Sequence, residues 1–158
     1  MYEVLENKEL LFHSVASYRT KFKPQEANSI FGKIVENLKM KGIERIGQVI
    51  TATHGLEEDS NKNIIADIEF LFSVNKSFES EDKLEFKQKF HLVNALKITH
   101  IGSPNDLNRS YQFLEDYINK NKLLRITSFY NVSTIEDQTK TEGQQIIETY
   151  VGINPSTL

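Results

Sequence analysis

The chain reads as two copies of strand, helix, strand, strand, displaced by about half its length, and such an internal repeat restricts the fold more than any single motif does. Shifting the numbering by 80 lays Pro24 on Pro104, Asn28 on Asn108, Phe31 on Tyr111, Ile34 on Leu114, Leu38 on Ile118, Arg45 on Arg125 and Ile46 on Ile126. The matches up to Leu38 and Ile118 fall on helix starts and helix stripes, and the two arginine and isoleucine pairs on the strands that follow. A duplicated chain of this kind predicts a groove between its halves, and a groove is where a function would sit.

The first copy is expected over about 8–75. Residues 8–22 alternate as Leu10, Phe12, Ser14, Ala16, Tyr18, Thr20 and Phe22, the period of a long strand that Pro24 ends. Apolar positions then switch to Ala27, Ile30, Phe31, Ile34, Val35 and Leu38, which predicts a helix over 25–41 stopped by Gly42. A β-rich segment over 45–53 follows, then a polar turn HGLEEDSNKN, then IIADIEFLFSV as a strongly apolar strand. The polar stretch KSFESEDK could serve as a linker but at about eight residues is better read as the loop joining two halves of one sheet, and two independent domains of half this size would be marginal.

The second copy, about 84–155, opens with LEFKQKFHLVNALKITHIG, long enough for a bent or bulged strand. Ser103-Pro104-Asn105-Asp106 has the form of a serine cap, a first-turn proline and an acid three residues on. Leu107, Tyr111, Leu114, Tyr117 and Ile118 form the next helical stripe. LRITSFYNVST is then read as a strand, EDQTKTEGQ as a loop and QIIETYVGIN as the last strand. The expected class is α+β: duplicated βαββ units forming one antiparallel sheet in a single domain, with two long helices on one face and the groove on the other.

Composition removes several function classes. With 158 residues, a formal charge of −3 and only interrupted lysine runs, the chain has no basic stripe of the kind that releases counterions from nucleic acid. Without cysteine, disulfides, thiol catalysis and Cys-zinc sites are excluded. No apolar run approaches the roughly 20 residues of a membrane span, and the N-terminus carries Glu3 and Glu6 instead of a signal pattern, so a cytoplasmic location is expected. His13, His54, His91 and His100 show no metal-binding spacing, and no nucleotide or nucleophile-elbow motif occurs; neither metal nor cofactor is expected.

The run HIGSPNDLNRSYQFLEDYINKN, followed by a strand, a polar loop and IIETYVGIN, resembles the GyrI-like, or AraC-type effector-binding, family of small-molecule-binding domains. The resemblance in topology extends over the whole chain and is better in the second half. Two departures stand out: Ser103-Pro104 where Pro-Tyr is common, and Gly152 where the family usually has proline. The resemblance implies a pocket for lipophilic, often cationic molecules, with Glu148 and Tyr150 carried over from the closing-strand motif.

Strand alternation places Glu148 and Tyr150 on the face opposite Ile147, Thr149, Val151 and Ile153, and places Asp67 and Glu69 opposite Ile68, Phe70 and Phe72. A carboxylate beside aromatic rings is suited to a cation. The plain alternative is that these acids lie on the wet face of an ordinary sheet. Tyr130 is expected to share a face with Ile126 and Val132, either in the core or in the groove, whereas Phe31 and Tyr111 are read as core. The candidate ligand residues are therefore Glu148, Tyr150, Glu69 and Tyr130. With no helical segment ahead of the first strand, a stand-alone binding or sequestering protein is expected. Its partner would be a small molecule or, alternatively, a polypeptide docking in the groove or on a strand edge, with neither nucleic acid nor membrane. Enzymic activity is not expected; a branch of the fold hydrolyses small molecules, and only Glu148 and tyrosines offer themselves for that here.

Overall fold

In a computed structural model of the chain, residues 2–103, 106–133 and 145–156 are described. The fold is α+β, mostly antiparallel strand, in the order β1 (Leu5–Phe22), a 3-10 turn (Pro24–Glu26), α1 (Ala27–Met40), β2 (Arg45–Glu58), β3 (Ile64–Val74), β4 (Leu84–Gly102), α2 (Leu107–Lys120), β5 (Tyr130–Ser133) and β6 (Gln145–Gly152). Backbone contacts divide the chain into two compact units: Phe12–Phe90, and the residues up to Leu11 together with those from His91 onward.

In the Phe12–Phe90 unit, β3 is central and pairs antiparallel with both β1 and β2. The pleat commits Ala66, Ile68, Phe70, Phe72 and Val74 to one face, and α1 covers that face with Ile34 and Leu38. Phe31 packs against Phe70 and Phe72 at centroid distances of 5.3 and 5.5 Å, as core residues do. The helix is entered through the Pro24 turn, where the Glu26 carboxylate accepts the Lys23 amide at 3.2 Å. It ends in a Schellman turn: Ile43 N–H donates to Leu38 C=O, Gly42 N–H to Lys39 C=O, and Gly42 takes a φ of +78°.

The second unit, considered alone, has the same strand order. Its central strand is β6, paired antiparallel with β4 and β5. Leu96, Ile98, Val151 and Ile153 pack with Leu114 and Ile118 of α2. Here too the helix closes with a Schellman turn, Leu123 N–H on Ile118 C=O and Lys122 N–H on Asn119 C=O. At the left-handed position stands Lys122, with φ +55°.

Several expectations require correction. The long alternation from Leu10 to Phe22 is reset at Ser14, whose φ of +51° breaks the pleat, so Val15, Ala16 and Ser17 are buried in succession and only residues from Ala16 onward join the α1 core. The segment read as a polar turn from His54 is strand as far as Glu58; the turn proper is Asp59–Asn63, organised by Asp59 Oδ1 accepting the amides of Asn61 and Asn63. The strand expected from Leu124 is regular only over Tyr130–Ser133 among the described residues: Leu124 is exposed, with its carbonyl accepting the Asn154 amide, and Arg125 makes an isolated bridge to Ile153. The proposed helix start includes Pro104 and Asn105, and the loop EDQTKTEGQ covers 136–144; these lie outside the described residues, and regular helix begins at Leu107.

Gly152 has a local reason. Its amide donates to Thr127 Oγ1 at 2.8 Å, and a Cβ there would lie 2.9 Å from Thr127 Cγ2 and Leu92 Cδ1. Proline at this position would lose the bond and collide.

A left-handed backbone costs a side chain-bearing residue about 1–2 kcal/mol. Lys122→Gly should therefore stabilise the protein by about 0.5–1 kcal/mol in urea denaturation, part of the relief being offset by glycine's greater unfolded-state entropy.

Candidate functional site

Glu148 and Tyr150 lie on central strand β6, on the face away from α2. Lys97 of β4 is directly opposite Tyr150 in the ladder, and Thr99 is opposite Glu148. The Lys97 ammonium pairs with Glu148 Oε2 and lies 5.7 Å from the centre of the Tyr150 ring. The lysine and glutamate side chains are 23 % and 28 % exposed, and Tyr150 is buried. The hydrogen bond to Glu148 holds the Lys97 ammonium above the ordinary lysine value, so Lys97 is a cation here, not a nucleophilic amine. Burial pushes the Tyr150 phenol up, with Glu148 adding in the same direction.

Tyr130 joins this face. It is half-buried and directly across from Tyr150 on β5, and Val132 beside it is opposite Glu148. Ile126, expected on the same strand face, is exposed and lies outside β5. Tyr111 is held on the other side of the sheet, stacked on Phe129 at 4.9 Å and accepting a hydrogen bond from Asn131, which in turn accepts from Thr149 Oγ1 at 2.8 Å. Burial raises its phenol as well.

Glu69 belongs to the other unit, on central strand β3 and on the face away from α1. It is 8 % exposed. The wet-face alternative therefore fails for it, as Ser17, Ile50, Ala52 and Leu71 around it are also buried. Its carboxylate is satisfied from both sides: Ser17 Oγ donates to Oε2 at 2.7 Å, His54 Nε2 lies 2.8 Å from Oε1, and Lys87 Nζ is 3.7 Å from Oε2. His54 reaches it because β2 carries an extra residue between Thr53 and Gly55, where the register to β3 slips by one. The carboxylate, not the imidazole, stands between serine and histidine, which is not the nucleophile–base–orienter order of a hydrolytic triad. An open concavity of about 370 Å³ lies beside Glu69, lined by polar and charged side chains that include Ser17, Arg19, Lys83 and Lys87.

His100, at the end of β4, is buried; Tyr2 Oη lies 2.9 Å from its Nδ1 and the Ser103 carbonyl 2.8 Å from its Nε2. A carbonyl only accepts, so Nε2 carries a proton and the ring ties Tyr2 to the strand end. Among the described residues no three His, Asp or Glu side chains are grouped to hold a metal ion, and no helix is long and apolar enough to cross a membrane.

Lys97, Ser17 and His54 were not foreseen. The alternation Ala95, Lys97, Thr99 is visible in the sequence, but which residue of the last strand it meets depends on register. The Gly55 that follows His54 was the available sign of a bulge.

No protein-family model matches the chain, and no curated protein is similar enough to match. Solved structures do resemble it. The EcmrR C-terminal domain superposes with a TM-score of 0.72 at 19 % identity, over 99 % of this chain and 98 % of that domain. In the EcmrR–DNA complex the same likeness covers 58 % of the EcmrR chain. An uncharacterized conserved protein from Listeria innocua gives a TM-score of 0.58 at 9 % identity over 97 % of this chain and 92 % of its own. A hydrolase from Listeria innocua gives 0.61 at 9 % identity, over 97 % and 91 %. At such identities the likeness is one of fold.

Two outcomes follow from the Phe12–Phe90 unit. Glu69→Ala strands the Ser17 hydroxyl and the His54 ring and should cost about 1–3 kcal/mol in urea denaturation, with Glu69→Gln costing less. Arg19 donates to both oxygens of Asp67, at 3.0 and 2.9 Å, and holds that carboxyl below the usual range. A lowered folded-state value means stability present above the unfolded pKa near 4 and lost as pH falls through the folded one; Asp67→Asn should cost about 0.5–1 kcal/mol at pH 7, given the exposed arginine, and almost nothing once both forms are protonated.

Proposed function

We propose that the chain is a duplicated βαββ module of the GyrI-like type that binds a small lipophilic molecule, cationic in its best ligands, on the sheet face where Glu148 and Tyr150 of β6 meet Tyr130 of β5. The observation that carries this reading is the half-buried Glu148 carboxylate next to the buried Tyr150 ring, already engaged with an ammonium group. A site that holds a primary ammonium against a carboxylate and a ring has the chemistry for a ligand cation.

The fold shared with the EcmrR C-terminal domain, the larger part of a protein solved on DNA, supports a receptor role. Duplication is supported by details that recur at an offset of 80: left-handed residues at Ser14 and Asn94, and Schellman turns at Gly42 and Lys122. Glu69 is the less suitable ligand carboxylate. Its hydrogen bonds are already taken by Ser17 and His54, and the concavity beside it is polar, whereas lipophilic ligands need apolar and aromatic walls.

The test is a thermal-shift titration with benzyltrimethylammonium, tetraphenylphosphonium and neutral molecules of the same shape. A ligand at 100 times its Kd adds about 2.7 kcal/mol of stability, or roughly 5–10 °C for a chain of this length. Glu148→Gln should reduce the shift for the cations and leave that for neutral isosteres nearly unchanged. Absence of any shift, or equal shifts in Glu148→Gln, would overturn the reading.

A further inference from the structure

Lys97 is placed where a ligand's positive charge would go. Its ammonium pairs with Glu148 and faces the Tyr150 ring, the two contacts by which the proposed site would recognise a cation. The corresponding place in the other unit is occupied differently. The ladders make Ser17 opposite Leu71 and Lys97 opposite Tyr150, so the central-strand glutamate two residues earlier, Glu69 or Glu148, is the diagonal neighbour of Ser17 or of Lys97. In the Phe12–Phe90 unit that neighbour gives its carboxylate a neutral hydroxyl donor. In the second unit it gives a full charge on a long, flexible stem.

We infer that Lys97 is an internal surrogate ligand: its ammonium occupies the Glu148–Tyr150 site in the free protein, and a cationic ligand binds only by displacing it. The inference rests on the reading of that face as a ligand site. Three physical consequences follow. The free protein leaves no half-buried carboxylate uncompensated, which would otherwise be costly. Affinity for cations is lowered by the fraction of molecules in which Lys97 has swung away. Selectivity also rises, because a ligand must surpass a primary ammonium in contact with ring and carboxylate, which favours bulky aromatic cations over small amines. The displaced lysine has somewhere to go: its stem has four rotatable bonds, and the side chain is 23 % exposed.

The test replaces Lys97 by the residue found at the equivalent place in the other unit. Lys97→Ser retains a donor for Glu148 and removes the competing charge; Lys97→Met, which keeps the length of the stem, is the second variant should the serine chain fold poorly. Binding of benzyltrimethylammonium and of neopentylbenzene, its uncharged isostere, is measured by calorimetry for wild type, both Lys97 variants and Glu148→Gln. Removal of a partly exposed ion-pair competitor should tighten cation binding about five- to tenfold and alter binding of the isostere less than about twofold. A Lys97 variant that binds the cation no more tightly than wild type, while Glu148→Gln still weakens it, overturns the surrogate and leaves the ligand face standing. Equal gains for both molecules would mean that the lysine merely fills space, and also overturn it. If neither molecule binds wild type or either Lys97 variant, the ligand face falls and the surrogate with it.

Discussion

A β-strand has two faces, and committing one to a helix decides what the other must carry. In β3 the aromatic row Phe70 and Phe72 goes to α1, since each ring brings about 1.5–3 kcal/mol of burial. Glu69 is thereby turned to the opposite side whatever its own preference. In β6 the row of Thr149 and Val151 faces α2, and Glu148 and Tyr150 are turned away in the same manner. Because β3 and β6 are the central strands of their units, each carboxylate is flanked by a strand on both sides and must find partners there. The polar chemistry of the molecule is in this sense a by-product of how its apolar residues are packed.

The two units solve the same problem by different means. Glu69 is held chiefly by two short-range partners, a serine and an imidazole, with the Lys87 ammonium further off at 3.7 Å. Glu148 is paired with a long side chain, Lys97, and also interacts with the Tyr150 phenol. The first arrangement resembles a structural hydrogen-bond network, in which full satisfaction gives rigidity. The second relies on an ion pair that is partly exposed.

Much of this could be read from the chain. The helical stripes, the Gly42 stop and the face assignments of Phe70, Phe72, Glu69, Glu148 and Tyr150 follow from periods of 3.6 and 2, which local sequence displays directly. What escaped was set by register and by single residues in unusual backbone conformations. Ser14 breaks an apparently perfect alternation, and nothing in its chemistry announces a positive φ. Leu124 looks like the first residue of a strand but is exposed, and among the described residues regular pairing begins only at Tyr130. Lys97 becomes meaningful only once β4 is known to pair with β6 in a register that sets it across from Tyr150. Sequence periodicity tells which side a residue takes, and leaves its opposite number unknown.

The extra residue at His54 has an implication for how the β2–β3 hairpin tolerates change in length. Between His54 and the Asp59 turn, pairing continues through Gly55 with Asp67 and Glu58 with Ile64, so gain or loss of one residue within the turn alters only the tip. Loss of His54 removes the imidazole that caps Glu69, yet because His54 is the extra residue Gly55 then follows Thr53 directly and keeps its pairing with Asp67. What the extra residue contributes to the hairpin is a side chain for Glu69, and the frame of the residues beyond it does not depend on its presence.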